Sequence, residues 1–253
     1  MRRLLLPSTF SLCFAFFAMQ QAFAQPSVLE NPRSKTGEVF NRVEDSLKKQ
    51  FEEKNLAWPP QSLYIRSFKY DRLLEVWVKS TNDEKYTLFK TYKVCMQSGK
   101  TGPKRSQGDN QIPEGFYYIN EFNPNSRYHL ALGLNYPNAS DKILSDSIRP
   151  GGDIYIHGNC VSTGCIAISD EPIEELYIIA SNVKNNGQDF IPVHVFPVKY
   201  NVPKSVNYLT ESMQSSITIN RFILKLKEVF DYFETNKQLP LIMINKTGDY
   251  VIN

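Results

Sequence analysis

The chain has 253 residues, with 29 basic and 26 acidic side chains and only three histidines; 42% of it is hydrophobic and 13% aromatic. A formal charge of +3 is too slight to hold nucleic acid by bulk attraction, so no nucleic-acid partner is expected. Aromatic and β-branched residues suffice for a sizeable core without staples.

Met1-Arg2-Arg3 precedes a largely apolar stretch from Leu4 to Met19, and Ala22-Phe23-Ala24 follows. A basic start, a short apolar centre and a small-residue exit predict a signal peptide over residues 1–24, cleaved after Ala24. The apolar centre falls short of the roughly 20 residues that a bilayer-spanning helix needs, and nothing later in the chain resembles one. The product is therefore expected to cross the inner membrane and work in the periplasm or cell envelope, with no membrane span. Cleavage leaves 27 basic against 26 acidic residues, and three cysteines: Cys95, Cys160 and Cys165. An odd number in an oxidising compartment leaves at least one thiol unpaired within the monomer, and that thiol is a candidate nucleophile.

Residues 25–61 read as a helical lead-in. Val39, Phe40, Val43, Leu47 and Phe51 recur at helical spacing between charges, and Trp58-Pro59-Pro60 ends the run. From Leu63 the pattern changes to strands: Leu63–Lys69, Leu73–Val78 and Tyr86–Val94 form a predicted meander. A loop rich in glycine and proline spans 99–115. Further strands are predicted at Phe116–Asn120, Tyr128–Leu134, Ile154–His157, Cys165–Ile168 and Ile191–Phe196. One internal helix is expected after Ser169-Asp170, which supply N-cap chemistry, with Ile173, Leu176, Tyr177 and Ala180 on one face and Asn185-Asn186-Gly187 as its stop. The tail offers an amphipathic helix over about 218–235 and a late strand at Leu239–Ile244. The expected architecture is mainly β (α+β): a catalytic domain over 62–198, and a helical extension over 199–253.

The chemistry concentrates in Ile154-Tyr155-Ile156-His157-Gly158-Asn159-Cys160-Val161-Ser162-Thr163-Gly164-Cys165. An apolar strand ends on a histidine, a loop of small and polar residues follows, and Gly-Cys opens the next strand. A thiol with a pKa near 8.5 is mostly protonated at neutral pH, and an imidazole that takes its proton makes the reactive thiolate. His157 is the candidate base and Cys165 the candidate nucleophile. The amides of Gly164 and Cys165 are candidate donors to a developing oxyanion. A backbone carbonyl or the Ser162 hydroxyl can orient the histidine. His129 and His194, inside predicted strands, read as structural. A zinc site on His157, Cys160 and Cys165 lacks a second ligand pair, so no metal and no cofactor are expected. A Cys160–Cys165 disulfide would silence the nucleophile; the favoured reading leaves Cys165 free and Cys160 lining the loop.

The blocks Ser98-Gly99-Lys100-Thr101-Gly102-Pro103-Lys104 and Gln107-Gly108-Asp109-Asn110-Gln111-Ile112-Pro113-Glu114-Gly115-Phe116-Tyr117 precede Pro124-Asn125-Ser126-Arg127-Tyr128 and Asn135-Tyr136-Pro137-Asn138. With the His157-Gly158 and Ser162-Thr163-Gly164-Cys165 motif, they resemble the YkuD family of L,D-transpeptidase catalytic domains, most closely its YafK-like branch, over most of 62–198. The resemblance implies a β-rich catalytic domain that transfers acyl groups on peptidoglycan stem peptides. The cysteine attacks the carbonyl of the diamino acid at the third stem position, and an amine of another stem or of a wall-anchored protein resolves the thioester. It implies catalytic roles for Cys165, His157, Gly164, Gly158 and Ser162. Most members read Ser-His-Gly-Cys with a longer interval, whereas Thr163 stands in for the second histidine here. The shorter form occurs in the branch associated with cleaving links to the diamino acid, so an L,D-endopeptidase or amidase stays open beside the transpeptidase. A non-catalytic peptidoglycan-binding module is the third reading. Arg127, Arg149 and Lys104 are the candidate substrate-binding residues.

Overall fold

The computed structural model describes residues 35–212 and 217–253. The expected signal peptide and the start of the lead-in lie outside these described residues.

Helix α1 (Lys35–Glu53) begins the described chain, and strands β1 (Ser62–Phe68), β2 (Leu73–Lys79) and β3 (Thr87–Lys93) follow as an antiparallel meander. Next come β4 (Gly115–Asn123), β5 (Ala131–Leu134), α2 (Ala139–Leu144), β6 (Tyr155–His157), β7 (Ile166–Ala167), α3 (Asp170–Asn185) and β8 (Ile191–Phe196). The tail holds α4 (Pro203–Ser212), α5 (Ile217–Asn236) and a hairpin of β9 (Ile242–Ile244) and β10 (Tyr250–Ile252). One sheet runs β3-β2-β1-β8-β4-β5-β6-β7, with β1/β8 and β6/β7 parallel and the other pairs antiparallel.

Alternation along β1 explains the layering. Leu63 and Ile65 point to a core shared with α1 and α3, while Tyr64 and Phe68 point to clusters completed by Phe233 and Phe230 of α5. Both faces of β1 are thus covered, which is why it reads as an almost unbroken buried run rather than a half-solvated strand. The second face also encloses charge: Arg66, 1% exposed, pairs with Glu75 at 2.6 Å and with Glu234 of α5 at 2.7 Å. Leaving either partner of such a buried pair alone is strongly unfavourable, so the tail helix is fastened to the sheet by more than apolar contact.

Several expectations need correction. Two internal helices occur rather than one, because Asn138 and Asp141 form a reciprocal capping box that starts α2. The strand expected from Tyr128 begins only at Ala131: His129 has φ +74°, which breaks the extended run, and its Nε2 meets Glu174 Oε1 of α3 at 2.6 Å. Ser169 occupies the N-cap position of α3 but makes no capping bond, since at φ +65° its hydroxyl donates to the Ile168 carbonyl. The tail carries two helices and a hairpin rather than one helix and one strand. His194, on β8, is buried with Nδ1 2.8 Å from the Tyr64 hydroxyl, a structural place.

Candidate active site

The parallel pair β6/β7 positions the two expected reactive residues. Its register sets Ile156 against Ile166 and His157 against Ala167. Extended one step back, it sets Cys165 against Tyr155, and Tyr155 shares the face of His157 because side chains alternate with period two. Cys165 and His157 accordingly line one cleft of about 530 Å³ at the end of the sheet, with Arg127, Tyr128, Asp153 and Ser162.

His157 is 1% exposed, and Tyr128 covers its ring with centroids 4.7 Å apart. Its Nδ1 lies 2.5 Å from the Gly158 carbonyl. A carbonyl can only accept, so Nδ1 carries the proton and Nε2 keeps its lone pair, the tautomer a base requires. Burial lowers the imidazole's pKa from its ordinary value against the opposing pull of that carbonyl. Burial likewise raises the Cys165 thiol, with Asp153 adding to it and the Tyr155 amide and Lys104 opposing. Both shifts favour the neutral forms, a thiol and an imidazole lining the same cleft.

The loop between them is fixed at many points. Cys160 is bonded to Cys95, which follows β3 by two residues, and Cys165 is the free cysteine among the described residues. This corrects the expectation of a free Cys160 lining the loop and excludes a Cys160–Cys165 bridge here, because the Cys160 sulfur already has its covalent partner. Asp170, expected to cap α3, instead accepts from the Asn159 amide at 2.7 Å. Gly158 is a glycine because a Cβ there would come within 2.6 Å of Asp170 Oδ1 and 2.9 Å of the Tyr128 carbonyl. Gly164 has φ +103°, a left-handed turn that lets the chain enter β7.

Ser162 does not orient His157. Its hydroxyl accepts from the Cys165 amide at 3.0 Å and donates to the Cys165 carbonyl at 2.6 Å, closing a tight turn before the sulfur. The Gly164 amide donates to the Ser98 hydroxyl at 2.7 Å. Both expected oxyanion donors thus hold hydroxyl acceptors in this state rather than standing free.

The three candidate substrate cations separate. Arg127 lines the cleft and makes no hydrogen bond or ion pair among the described residues. Lys104 is 5% exposed and its ammonium is committed to Asp109 at 2.5 Å and the Ser106 carbonyl at 2.8 Å; it supports the 104–109 loop rather than reaching for substrate. Arg149 is exposed on the loop after α2 and lines neither the cleft nor the recess beside it, so the structure does not bring it to the site. Sequence reasoning passed over Asp153, whose carbonyl is 3.5 Å from the Cys165 sulfur, and Tyr128 as a cover for the imidazole. Gly151-Gly152 before Asp153 marked a turn, the one signal that pointed there.

A mostly β sheet that brings a cysteine and a histidine on neighbouring strand ends to one cleft fits a β-rich catalytic domain, and the chain belongs to the YkuD family of L,D-transpeptidase catalytic domains, whose pattern matches residues 66–195. The chain is 33% identical over 193 residues to YafK of Escherichia coli strain K12, a protein whose L,D-transpeptidase name is itself provisional; the match covers 76% of this chain and 74% of that one. Among solved structures, it resembles the helical cell shape determining protein Pgp2 of Campylobacter jejuni, at 20% identity over 79% of this chain and 81% of that one, with a TM-score of 0.43. L,D-transpeptidase 1 of Mycobacterium tuberculosis is more distant, at 14% identity over 53% and 61% of the two chains and a TM-score of 0.29. Scores this low add nothing to the family assignment.

Proposed function

We propose that this protein is an exported cysteine acyltransferase that acts on peptidoglycan stem peptides, with Cys165 as nucleophile and His157 as base. The observation that carries the reading is the cleft itself: the free thiol and a histidine in the basic tautomer line it together, while the other two described cysteines are bonded to each other. A non-catalytic binding module has no need of either feature.

The Cys165 proton passes to His157 Nε2 as sulfur bonds the carbonyl carbon of the diamino acid. His157 returns it to the departing amine as the C–N bond breaks, leaving a thioester. A second amine, or water, adds to the thioester carbon and gives its proton to His157, and the thiol recovers a proton as the C–S bond breaks. Negative charge on the attacked oxygen can draw the Gly164 and Cys165 amides away from the Ser98 and Ser162 hydroxyls, because a hydrogen bond to an anion is roughly twice as strong as one to a neutral acceptor. Arg127 lines the same cleft and is the residue we assign to a substrate carboxylate. The Cys95–Cys160 bond supports an oxidising compartment, in keeping with export to the envelope.

The test is Cys165→Ala, assayed on tetrapeptide and cross-linked muropeptides with products read by mass. It abolishes turnover, and the parent, stopped early, carries a stem-peptide adduct on Cys165. His157→Ala lowers the rate by roughly 10²–10⁴-fold, the usual contribution of a positioned base. Normal turnover by Cys165→Ala overturns the assignment, and the product masses tell ligation from hydrolysis.

A further inference from the structure

We infer that Asp153 is the site's ammonium-recognition residue: its carboxylate selects a substrate bearing a free primary amine, and with Arg127 it matches the paired ammonium and carboxylate at the distal end of a diamino acid. The inference rests on the acyl-transfer reading of the Cys165 cleft and adds to it the charge pattern of the substrate.

The placement of Asp153 is the first argument. Its carbonyl lies 3.5 Å from the Cys165 sulfur, so its side chain starts within one residue's reach of the reacting atom. It borders two hollows at once, the main cleft and an adjoining recess of about 210 Å³ lined also by Asn110, Thr163 and Gly164. A group bound at Asp153 therefore borders the same hollow as the sulfur.

Charge is the second argument. Arg127 and Asp153 are the two charged side chains lining the cleft among the described residues, and neither forms an ion pair with the other or with any other described group. The neighbouring Lys104 ammonium, which could have neutralised Asp153, is held by Asp109. A protein that leaves one cation and one anion unpaired in a single cleft offers complementary partners to a ligand carrying both signs. A neutral or purely anionic peptide end would leave Asp153 unmatched beside the thiol.

Backbone conformation is the third. Asp153 has φ +55°, a left-handed conformation that most residues avoid and that asparagine and aspartate tolerate best. Aspartate there is compatible with the turn, but asparagine would serve the turn equally, so the backbone does not account for the charge.

Two amines reach this position in the proposed reaction, the distal amine of the donor's diamino acid and the amine that resolves the thioester. The experiment separates them with Asp153→Asn, which keeps the turn. Single-turnover acylation is measured with a tetrapeptide donor carrying a free distal amine and with the same donor N-acetylated; resolution is then followed with an added amine and with water alone. Recognition of the donor predicts that Asp153→Asn slows acylation by the free-amine donor roughly three- to tenfold relative to the acetylated donor, the range for a solvent-reachable charged contact, any effect of the lost charge on the thiol being common to both. Recognition of the acceptor predicts unchanged acylation and a similar loss confined to resolution by amine. Equal behaviour of parent and variant in all arms, or equal losses on free and acetylated donors, overturns the inference. The melting temperature and complete stoichiometric labelling of Cys165 confirm that the variant is folded with its thiol in place. Because Cys165→Ala tests the acyl-transfer reading separately, a silent Asp153→Asn in an enzyme that still needs Cys165 refutes this inference alone.

Discussion

Removing the Cys95–Cys160 bond offers a sharp test of how the loop between β6 and β7 is held. The two cysteines are 65 residues apart in sequence, so the bond closes a loop that carries β4, β5, α2 and β6, from just after β3 to the loop between β6 and β7. In the chain-entropy account, a cross-link stabilises by restricting the unfolded chain, and a loop of this length corresponds to roughly 4 kcal/mol at 25 °C. For a domain of this size, that lowers the melting temperature by about 8–16 °C. The perturbation is the double variant Cys95→Ser/Cys160→Ser, chosen because a single replacement leaves a stray thiol. The assay is urea unfolding followed by circular dichroism, with the parent run in parallel with and without dithiothreitol. Reduced parent and double variant should unfold at the same, lower midpoint, with oxidised parent alone above them. If the variant lies within about 1 kcal/mol of the oxidised parent, the loop is held by its hydrogen bonds and the entropic reasoning fails.

Two further predictions follow from the site. Because burial lowers the His157 pKa and raises that of Cys165, we expect iodoacetamide alkylation of Cys165 to be slow between about pH 5 and 7 and to accelerate only as the thiol ionises above its ordinary value near 8.5. Fast alkylation at pH 5, the mark of a thiolate–imidazolium pair, contradicts it. Gly158→Ala drives a methyl to within 2.6 Å of Asp170 Oδ1 and 2.9 Å of the Tyr128 carbonyl, so we expect a stability loss of about 1–3 kcal/mol by denaturant unfolding together with weakened turnover. Unaltered stability and turnover would show that the loop shifts freely.

The strands were legible because the central ones are nearly continuous β-branched and aromatic runs, and α1 and α5 because Leu47 and Phe51, or Leu226, Phe230 and Phe233, recur at helical spacing. Helix α2 escaped because it is six residues long, and its capping box uses Asp141 where glutamate or glutamine is the usual signal. That His157 and Cys165 line one cleft was legible because a short loop between adjacent strands leaves little freedom in where its ends lie. The fastenings were not. Cys95 sits 65 residues before Cys160, and spacing says nothing about which two of three thiols meet. Asp170 looked like a cap because serine and aspartate before a helical run usually are; its carboxylate went to Asn159 once Ser169 took a positive φ.

Those positive φ values show what the fold accomplishes at this corner. Eight described non-glycine residues have left-handed backbones, and four of them, His129, Asp153, Asn159 and Ser169, lie in or flank the site that holds His157 and Cys165. Each such residue is disfavoured by about 1–3 kcal/mol and persists only where its neighbours over-determine it. Here the neighbours are identifiable. Glu174 of α3 holds His129 while also binding Arg42 of α1, and Lys35 of α1 donates to the His129 carbonyl; Asp170 holds Asn159, whose own side chain accepts from the Cys160 amide at 2.6 Å. The disulfide closes the same loop from the other side. Strain gathered at one cleft and balanced by contacts from α1, α3 and the segment after β3 is what keeps a sulfur, an imidazole and a carboxylate within a single hollow. It also makes the lead-in helix, though remote from the thiol in sequence, one of the elements that set the geometry around it.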